Sequence, residues 1–465
     1  MILFRLVLLF ATVVFGSSST FALPDVLDDV GREQRRNYTP AENDLMRIWM
    51  VHVDQADGII IQFPPKYNYE IGDHSERLDV IVDTGKNETQ LKKFWKELYG
   101  SGRTVAEHVV ITHHDSDHVA GLKGLIKDNR IRVDSVYHNG LATYKPDKRG
   151  FRPTLGDHFN AVYKFDKKKK KVTRGMAFLR KDSNLMRHKY LIDDLDDLRQ
   201  GVQNDDFGSV YGPVADAIFP DPDKRAKVRQ FSRVWDDSPF IEEREQELRG
   251  RELEGVSFDL LWPQRTPRKF ANSLSKMWGE TVNGNSVTFR LDYGSFEMLF
   301  TGDHNELSEE ALLRQLSRTD QLDALNCDVL KIPHHGSAHA LQDFFEHAEL
   351  DPVVAVASMG NKGLMGWSHP SYKVIDWLGG NHRVFHTYVD EGESARNTLF
   401  KNQKKNPPSN PPKLKNIVEK SHILIETDGK WFRIVELPLN HGDMNDPLSV
   451  SDTNKGDGTR WIKAK

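Results

Sequence analysis

Apolar residues in this chain come in short runs separated by turn-forming residues, a pattern of many strands with a few covering helices. Residues 47–62 hold two such runs, Ile48-Trp49-Met50-Val51 and Gly58-Ile59-Ile60-Ile61. Leu78-Asp79-Val80-Ile81-Val82-Asp83-Thr84-Gly85 adds a third strand that ends in a turn. Residues 89–98 switch to a helical period and predict an amphipathic helix. His108-Val109-Val110-Ile111 then predicts a buried strand, and residues 119–126 the start of a second helix. Further along, Phe258-Asp259-Leu260-Leu261-Trp262-Pro263 reads as a strand stopped by proline. Residues 286–291 and 296–300 predict a hairpin turned at Tyr293-Gly294-Ser295, with strands also at residues 353–358 and 384–387. Strand, helix, strand, loop, helix is the rhythm of a layered α/β fold in which helices cover sheets.

Two stretches break the rhythm. Residues from about 140 to 255 carry Lys167 to Lys171, the acidic cluster Asp193-Asp194-Leu195-Asp196-Asp197 and Glu242-Glu243-Arg244-Glu245, and predict a charged, mostly helical or irregular insertion. Asn406-Pro407-Pro408-Ser409-Asn410-Pro411-Pro412 is a linker by composition. The organisation expected is therefore an N-terminal extension at 23–45 and a main domain at 46–405 with the insertion inside it. The linker and a C-terminal β-hairpin around Asp428-Gly429 fill 406–465.

Ahead of these, residues 1–22 have the form of a secretory signal peptide. Arg5 supplies the positive end, residues 6–15 the apolar core, and Thr20-Phe21-Ala22 the small residues near a cleavage point. The apolar run is shorter than the ~20 residues a membrane span needs, and no later segment is apolar enough to span. A periplasmic or secreted protein without a stable membrane span is the expectation. Cys327 is the single cysteine of 465 residues, so no intramolecular disulfide can form, and it reads as a buried structural thiol. The formal net charge of -4 gives no global attraction to nucleic acid. An anionic substrate would have to be held by metals and local basic patches.

The chemistry concentrates in Thr112-His113-His114-Asp115-Ser116-Asp117-His118, which joins the strand ending at Ile111 to the following helix. A loop there can direct His113, Asp115, Asp117 and His118 into one cavity. Imidazole nitrogen and carboxylate oxygen are the ligand set of hydrolytic Zn2+ and Mn2+ sites. Thr301-Gly302-Asp303 ends another apolar strand with a carboxylate whose two oxygens could bridge two cations. Lys331-Ile332-Pro333-His334-His335-Gly336-Ser337 ends a third with adjacent histidines, and Gly366-Trp367-Ser368-His369-Pro370 places one more histidine in a loop.

In order and spacing these motifs resemble the metallo-β-lactamase superfamily, and within it the hydrolase domain of the ComEC family of DNA-uptake proteins. The resemblance runs from about Arg47 to Asp390, apart from the insertion. Residues 50–59 resemble that family's first strand and its D-V-G-Q-G-D turn, with Gln55 and Asp57 matching and His52, Asp54 and Ala56 departing. Val82-Asp83-Thr84-Gly85 resembles the next strand end, H-x-D-x-D-H the metal motif of this branch, and Asn285-Ser286 its N-x-S element. Residues 330–337 resemble L-K-x-x-H-H-G-S, and residues 366–370 its G-H-P.

The resemblance implies a four-layer αβ/βα sandwich with two divalent ions, Zn2+ or Mn2+, at one end of two facing sheets. His113 and Asp115 would serve one ion, Asp117 and His118 the other, with Asp303 bridging and His334, or alternatively His335, completing the second site. Asn285 falls near the place of a histidine ligand that many superfamily hydrolases have. Hydrolysis is the reaction implied, with Asp117 or Asp115 orienting a metal-activated water and His369 protonating a leaving group or touching a substrate oxygen. The leading substrate is a phosphodiester, DNA, processed outside the cytoplasm. The alternatives are an amide or ester hydrolase of lactonase or β-lactamase type, and a non-catalytic binding protein on the same scaffold.

Overall fold

A period-two alternation of apolar side chains decides the architecture of this protein. The computed structural model describes residues 32–35, 37–71, 74–76, 78–86, 88–100, 104–113, 115–128, 131–139, 141–147, 150–153, 162–166, 171–178, 227–230, 255–263, 268, 270, 280–359, 369–378, 384–389, 419–439 and 460–465. The first half of the chain supplies strands β1 (Gln34–Arg35), β2 (Met46–Met50), β3 (Gly58–Gln62), β4 (Asp79–Thr84), β5 (Thr104–Ile111), β6 (Ile131–His138) and β7 (Lys227–Gln230). Between them lie helices α1 (Glu88–Tyr99), α2 (Ser116–Val119) and α3 (Leu122–Lys127). The second half supplies β8 (Val256–Trp262), β9 (Thr288–Tyr293), β10 (Phe296–Phe300), helix α4 (Glu306–Arg318), β11 (Val329–Lys331), β12 (Val354–Ala357) and β13 (Val384–His386). Last come β14 (Glu419–Thr427), β15 (Trp431–Pro438) and β16 (Trp461–Lys463).

Two sheets result. One has the order β1-β16-β15-β14-β2-β3-β4-β5-β6-β7, with Tyr388–Val389 pairing β14 as well; the other runs β8-β9-β10-β11-β12-β13. In Gly58–Gln62 the side chains of Ile59 and Ile61 enter the core between the sheets, whereas Ile60 points to the opposite face. Val80 and Val82 divide from Ile81 in the same way, and Met298 and Phe300 from Leu299. The inner core closes with Phe289 stacked on Phe300 at 4.6 Å and Phe63 on Phe258 at 6.0 Å, both pairs of ring centroids. Outside the first sheet, Phe94 and Trp95 of α1 cover Trp49, Ile60 and Ile81; outside the second, Leu312 and Leu316 of α4 cover Leu299 and Leu330. Helix, sheet, sheet, helix is the α/β sandwich the motifs imply. Cys327 lies buried in the outer core beside α4, and burial pushes its thiol upward. Among the described residues no helix is long and apolar enough to cross a membrane.

Two expectations change. Where the charged insertion is described it is β-structure. Leu141–Asp147, Gly150–Pro153, Val162–Asp166 and Lys171–Phe178 make a four-stranded antiparallel sheet, and β7 joins the main sheet parallel to β6. Val162-Tyr163-Lys164-Phe165-Asp166 shows why: β-branched and aromatic residues are interleaved with charges, and the charge density hid the strand pattern. Lys167 to Lys170 and the acidic clusters lie outside the described residues. The second change concerns the C-terminal hairpin. β14 pairs antiparallel with β15 and also with β2, with Ile425 opposite Ile48, so the hairpin is internal to the main sheet. Hydrophobic periodicity marks a hairpin but carries no record of a partner strand nearly 380 residues away.

Phe432 of β15 is fully buried in the inner core, 5.5 Å from Phe296 between ring centroids. Phe432→Ala should therefore lower unfolding free energy by about 3–5 kcal/mol in urea titrations, the cost of a core cavity. A cost below about 1 kcal/mol would show the hairpin to be a dispensable extension.

Candidate metal centre

Parallel strands that lie side by side end at the same edge of a sheet, and chemistry in α/β proteins gathers beyond those carboxyl ends. β4 and β5 deliver Asp83 and the loop from Thr112 to His118, while β10 and β11 of the facing sheet deliver Asp303 and the His334–His335 turn. Asp57, in the turn between β2 and β3, closes the group from one side; its backbone N–H donates to Asp117 O at 3.2 Å.

Local bonding fixes each side chain. The Asp83 carboxylate accepts Thr112 N–H at 2.8 Å and Thr112 Oγ1–H at 2.7 Å, pinning the start of the motif loop. Asp115 contributes its backbone carbonyl, which accepts from the N–H groups of His118 and Val119 at 3.0 and 3.1 Å and so opens α2. That turn carries His118 inward, where Nδ1 meets Asp83 Oδ2 at 2.7 Å and Nε2 faces Asp303 Oδ2 at 3.2 Å. A carboxylate behind the ring sets the tautomer and leaves Nε2 as the donor, the usual support of a metal-ligating histidine. His113 lies beside it with ring centroids 4.0 Å apart, its Nδ1 3.1 Å from Thr112 Oγ1 and 3.3 Å from Ser286 Oγ. Its Nε2 is 3.9 Å from Asp303 Oδ2.

Asp303 sits where a narrow backbone passage puts it. Its N–H donates to Ser286 Oγ at 2.9 Å, and the preceding Gly302 has φ +52° with a Cβ position only 2.7 Å from Ser286 Cβ. A larger residue there would force the passage open. His334 and His335 both have positive φ, 48° and 53°, a strained conformation for a non-glycine residue. His335 is buried, its Nδ1 2.8 Å from Ser358 O. A carbonyl only accepts, so Nδ1 carries the proton and Nε2 points to Asp303 Oδ2 at 3.6 Å and Asp117 Oδ2 at 3.9 Å. His334 stands nearer the opening, its side chain 23% exposed and its Nε2 3.3 Å from Asn283 Nδ2 and 3.8 Å from Asp303 Oδ2.

The charges compensate one another inside the protein. Burial alone would raise the Asp303 carboxyl, but His118, His335 and His334 outweigh it and hold it well below the usual carboxylate range. Burial likewise acts upward on Asp57, against the Lys331 ammonium and His335, which hold it low. Asp83 stays raised, because burial wins over His118. Burial would lower His118 and His335, yet Asp303 with Asp83 raises the first and Asp303 with Asp57 raises the second. His334 is pushed down to about 4, chiefly by burial.

Among the described residues, four sets of side chains have ligand atoms within 4.8 Å of one another: His113–His118–Asp303, Asp117–His118–His335, Asp57–Asp83–His118 and Asp57–Asp303–His335. The residues fit a cation, because His335 Nε2 is buried and makes no hydrogen bond, a costly state for a group of this polarity. Of the residues singled out in the sequence, His113, Asp117, His118 and Asp303 come together. His335 enters the sets in place of His334, and Asp115 enters none of them. His369 lies outside at the rim, its ring 5.8 Å from His334 and 6.4 Å from His335 between centroids. Asn285 is turned to the backbone, donating to Arg268 O and Thr281 O and accepting from Arg268 N–H, all at 2.6 Å. Sequence reasoning did not single out Asp57, Asp83 or Lys331 as site residues, though each lies in a motif that carries the resemblance. A carboxylate at a strand end was the available signal for Asp83.

Two outcomes follow from this bonding. Asp83→Asn should weaken divalent-metal affinity roughly 10–100-fold in chelator competition, since it removes the charge that orients His118, while circular dichroism stays native. The second concerns pH. His118, raised in the folded state, stabilises the metal-free protein below about pH 6.5, and that contribution is lost as pH rises through its folded value. Asp303, depressed, contributes above about pH 4 and is lost only on strong acidification. Metal replaces the imidazolium proton, so melting temperature measured across pH should fall on the alkaline side for chelated protein and much less for metal-loaded protein.

The family model described as the metallo-beta-lactamase superfamily matches residues 71–202, a span that includes β4, α1, β5 and the loop from His113 to His118. No curated protein matches the chain. Over that span the chain is similar to the metallo-β-lactamase superfamily, and its fold is that superfamily's α/β sandwich.

Proposed function

We propose that this protein is a metal-dependent hydrolase whose substrate is a phosphodiester, DNA, outside the cytoplasm. The observation that carries the reading is the convergence of His113, His118 and His335 on Asp303 at the carboxyl ends of the strands. The family match supports the hydrolase class, since the superfamily is generally one of hydrolases. DNA as substrate rests on the resemblance of the motif series to the ComEC hydrolase domain. The address outside the cytoplasm rests on the signal-like residues 1–22, which lie outside the described residues.

A divalent ion held here would supply Lewis acidity to the scissile bond and lower the pKa of a water to near neutrality. His113, His118, His335 and Asp303 would hold it, with Asp83 and the Ser358 carbonyl orienting the rings behind them. Asp117, 22% exposed with one oxygen 3.9 Å from His335 Nε2, faces the open side and would orient the attacking water. His334 and His369 at the rim would meet the leaving-group side of a bound substrate. His334, neutral above about pH 4, would accept or relay a proton there and add no fixed charge.

The test incubates the full chain, loaded with Mn2+ or Zn2+, with single- and double-stranded DNA, beside Asp303→Ala. Cleavage that the variant lowers at least roughly 100-fold is the expected result. Protein shown to hold metal that leaves both DNA forms intact would overturn the nuclease reading and direct assays to lactones and β-lactams.

A further inference from the structure

Resting on the metal-dependent reading above, we propose that this centre takes one divalent ion, and that the buried Lys331 ammonium supplies in fixed form the charge a second ion would bring. Two independent arrangements carry this. The first is the convergence of imidazole donors on a single atom. Nε2 of His118, His335, His334 and His113 lies 3.2, 3.6, 3.8 and 3.9 Å from Asp303 Oδ2. Ligand atoms on a tetrahedral centre with bonds of 2.0–2.1 Å stand about 3.3–3.4 Å apart, so His118 and His335 suit one ion shared with that oxygen, and His113, within reach of both His118 and Asp303, supplies the fourth donor. His118 has a single donor to give, because Nδ1 is engaged by Asp83 at 2.7 Å. Its Nε2 belongs to both the His113–Asp303 and the Asp117–His335 neighbourhoods, and one lone pair serves one ion. Asp115, which the two-ion arrangement needs for its first site, is in none of the metal-competent sets among the described residues.

The second arrangement is the cation already present. Lys331 ends β11 with its side chain buried, forms an ion pair with Asp57, and donates to Gly302 O at 2.9 Å. Its Nζ stands 3.9 Å from Asp303 Oδ1, the carboxylate oxygen turned away from the closest imidazole contacts. Bridging through both oxygens of Asp303 would set a second dication against this ammonium, in an interior where repulsion between like charges is weakly screened. Asp57, the remaining fully buried carboxylate on that side, is already paired by the same lysine. The polypeptide thus holds a permanent monocation 3.9 Å from one oxygen of Asp303 and presents the other to the exchangeable ion.

Metal content tests this directly. The full chain is loaded with excess Mn2+, or separately with Zn2+, freed of unbound ion by gel filtration, and its metal counted by elemental mass spectrometry. The electron paramagnetic resonance spectrum of the Mn2+ form is recorded alongside. One equivalent per chain and the hyperfine pattern of an isolated Mn2+ are expected. Lys331→Met, which keeps an apolar stem and removes the charge, should take up a second equivalent, with Lys331→Gln as a second neutral variant. Two equivalents in the wild-type protein, or an exchange-coupled Mn2+ pair, would overturn the one-ion proposal and leave the metal-dependent reading standing. Zero equivalents would overturn both. A folded neutral variant that stays at one equivalent would remove the role given to Lys331, and if neither variant folds the wild-type count and spectrum decide.

Discussion

Everything at the functional end of this protein depends on how Asp303 is kept ionised away from water. A buried carboxylate is unfavourable unless opposite charge and hydrogen-bond donors surround it. Here the compensation comes from both halves of the chain: His118 from the first sheet, His335 and His334 from the second. The carboxylate therefore also joins the two sheets electrostatically at the edge where their packed aromatic core ends. A change that moved either sheet would unbalance the charges, and a change in the charges would act on the sheet contact.

Behind that first layer lies a second one made mostly of strand-end residues. Asp83 holds Thr112 and His118 together, Ser286 Oγ accepts from Asp303 N–H, and Ser358 O fixes the His335 ring. Ser358 in turn donates its hydroxyl to Ala56 O at 2.7 Å, which ties the His335 support to the turn that carries Asp57. The imidazoles thus have their orientation before any ion arrives. The backbone contributes through strain: the left-handed His334–His335 pair and the crowded Gly302 give side-chain directions that regular strands cannot.

The main sheet shows how a site assembled at a chain's middle can depend on its ends. β14 and β15 lie between β16 and β2, so strands from the last part of the chain flank the strand that leads into the Asp57 turn. His422 of β14 accepts the His52 N–H at 2.9 Å through Nδ1, fixing the backbone a few residues ahead of Asp57. The segment that composition sets apart behind a proline-rich linker thereby positions the turn beside the candidate metal centre.

The sequence by itself determined the layered α/β class, most of the site-bearing strands, and the loop that holds His113, Asp117 and His118, because alternation and short motifs are local properties. It also placed Asp303 at a strand end. It did not determine which of His334 and His335 turns inward, since that choice is made by two positive φ angles and by the Ser358 carbonyl on a different strand. Nor did it separate Asp115 from Asp117, whose spacing looks equivalent until the fold sets the Asp117 carboxylate within reach of His118 and His335. Asp57, Asp83 and Lys331 gain their roles only when distant strands meet, and the partner of the C-terminal hairpin is likewise a matter of long-range pairing, whereas the strands of the insertion pair largely as local hairpins that charge density hid. Local chemistry is written along the chain, whereas charge compensation and register are properties of the folded assembly of strands.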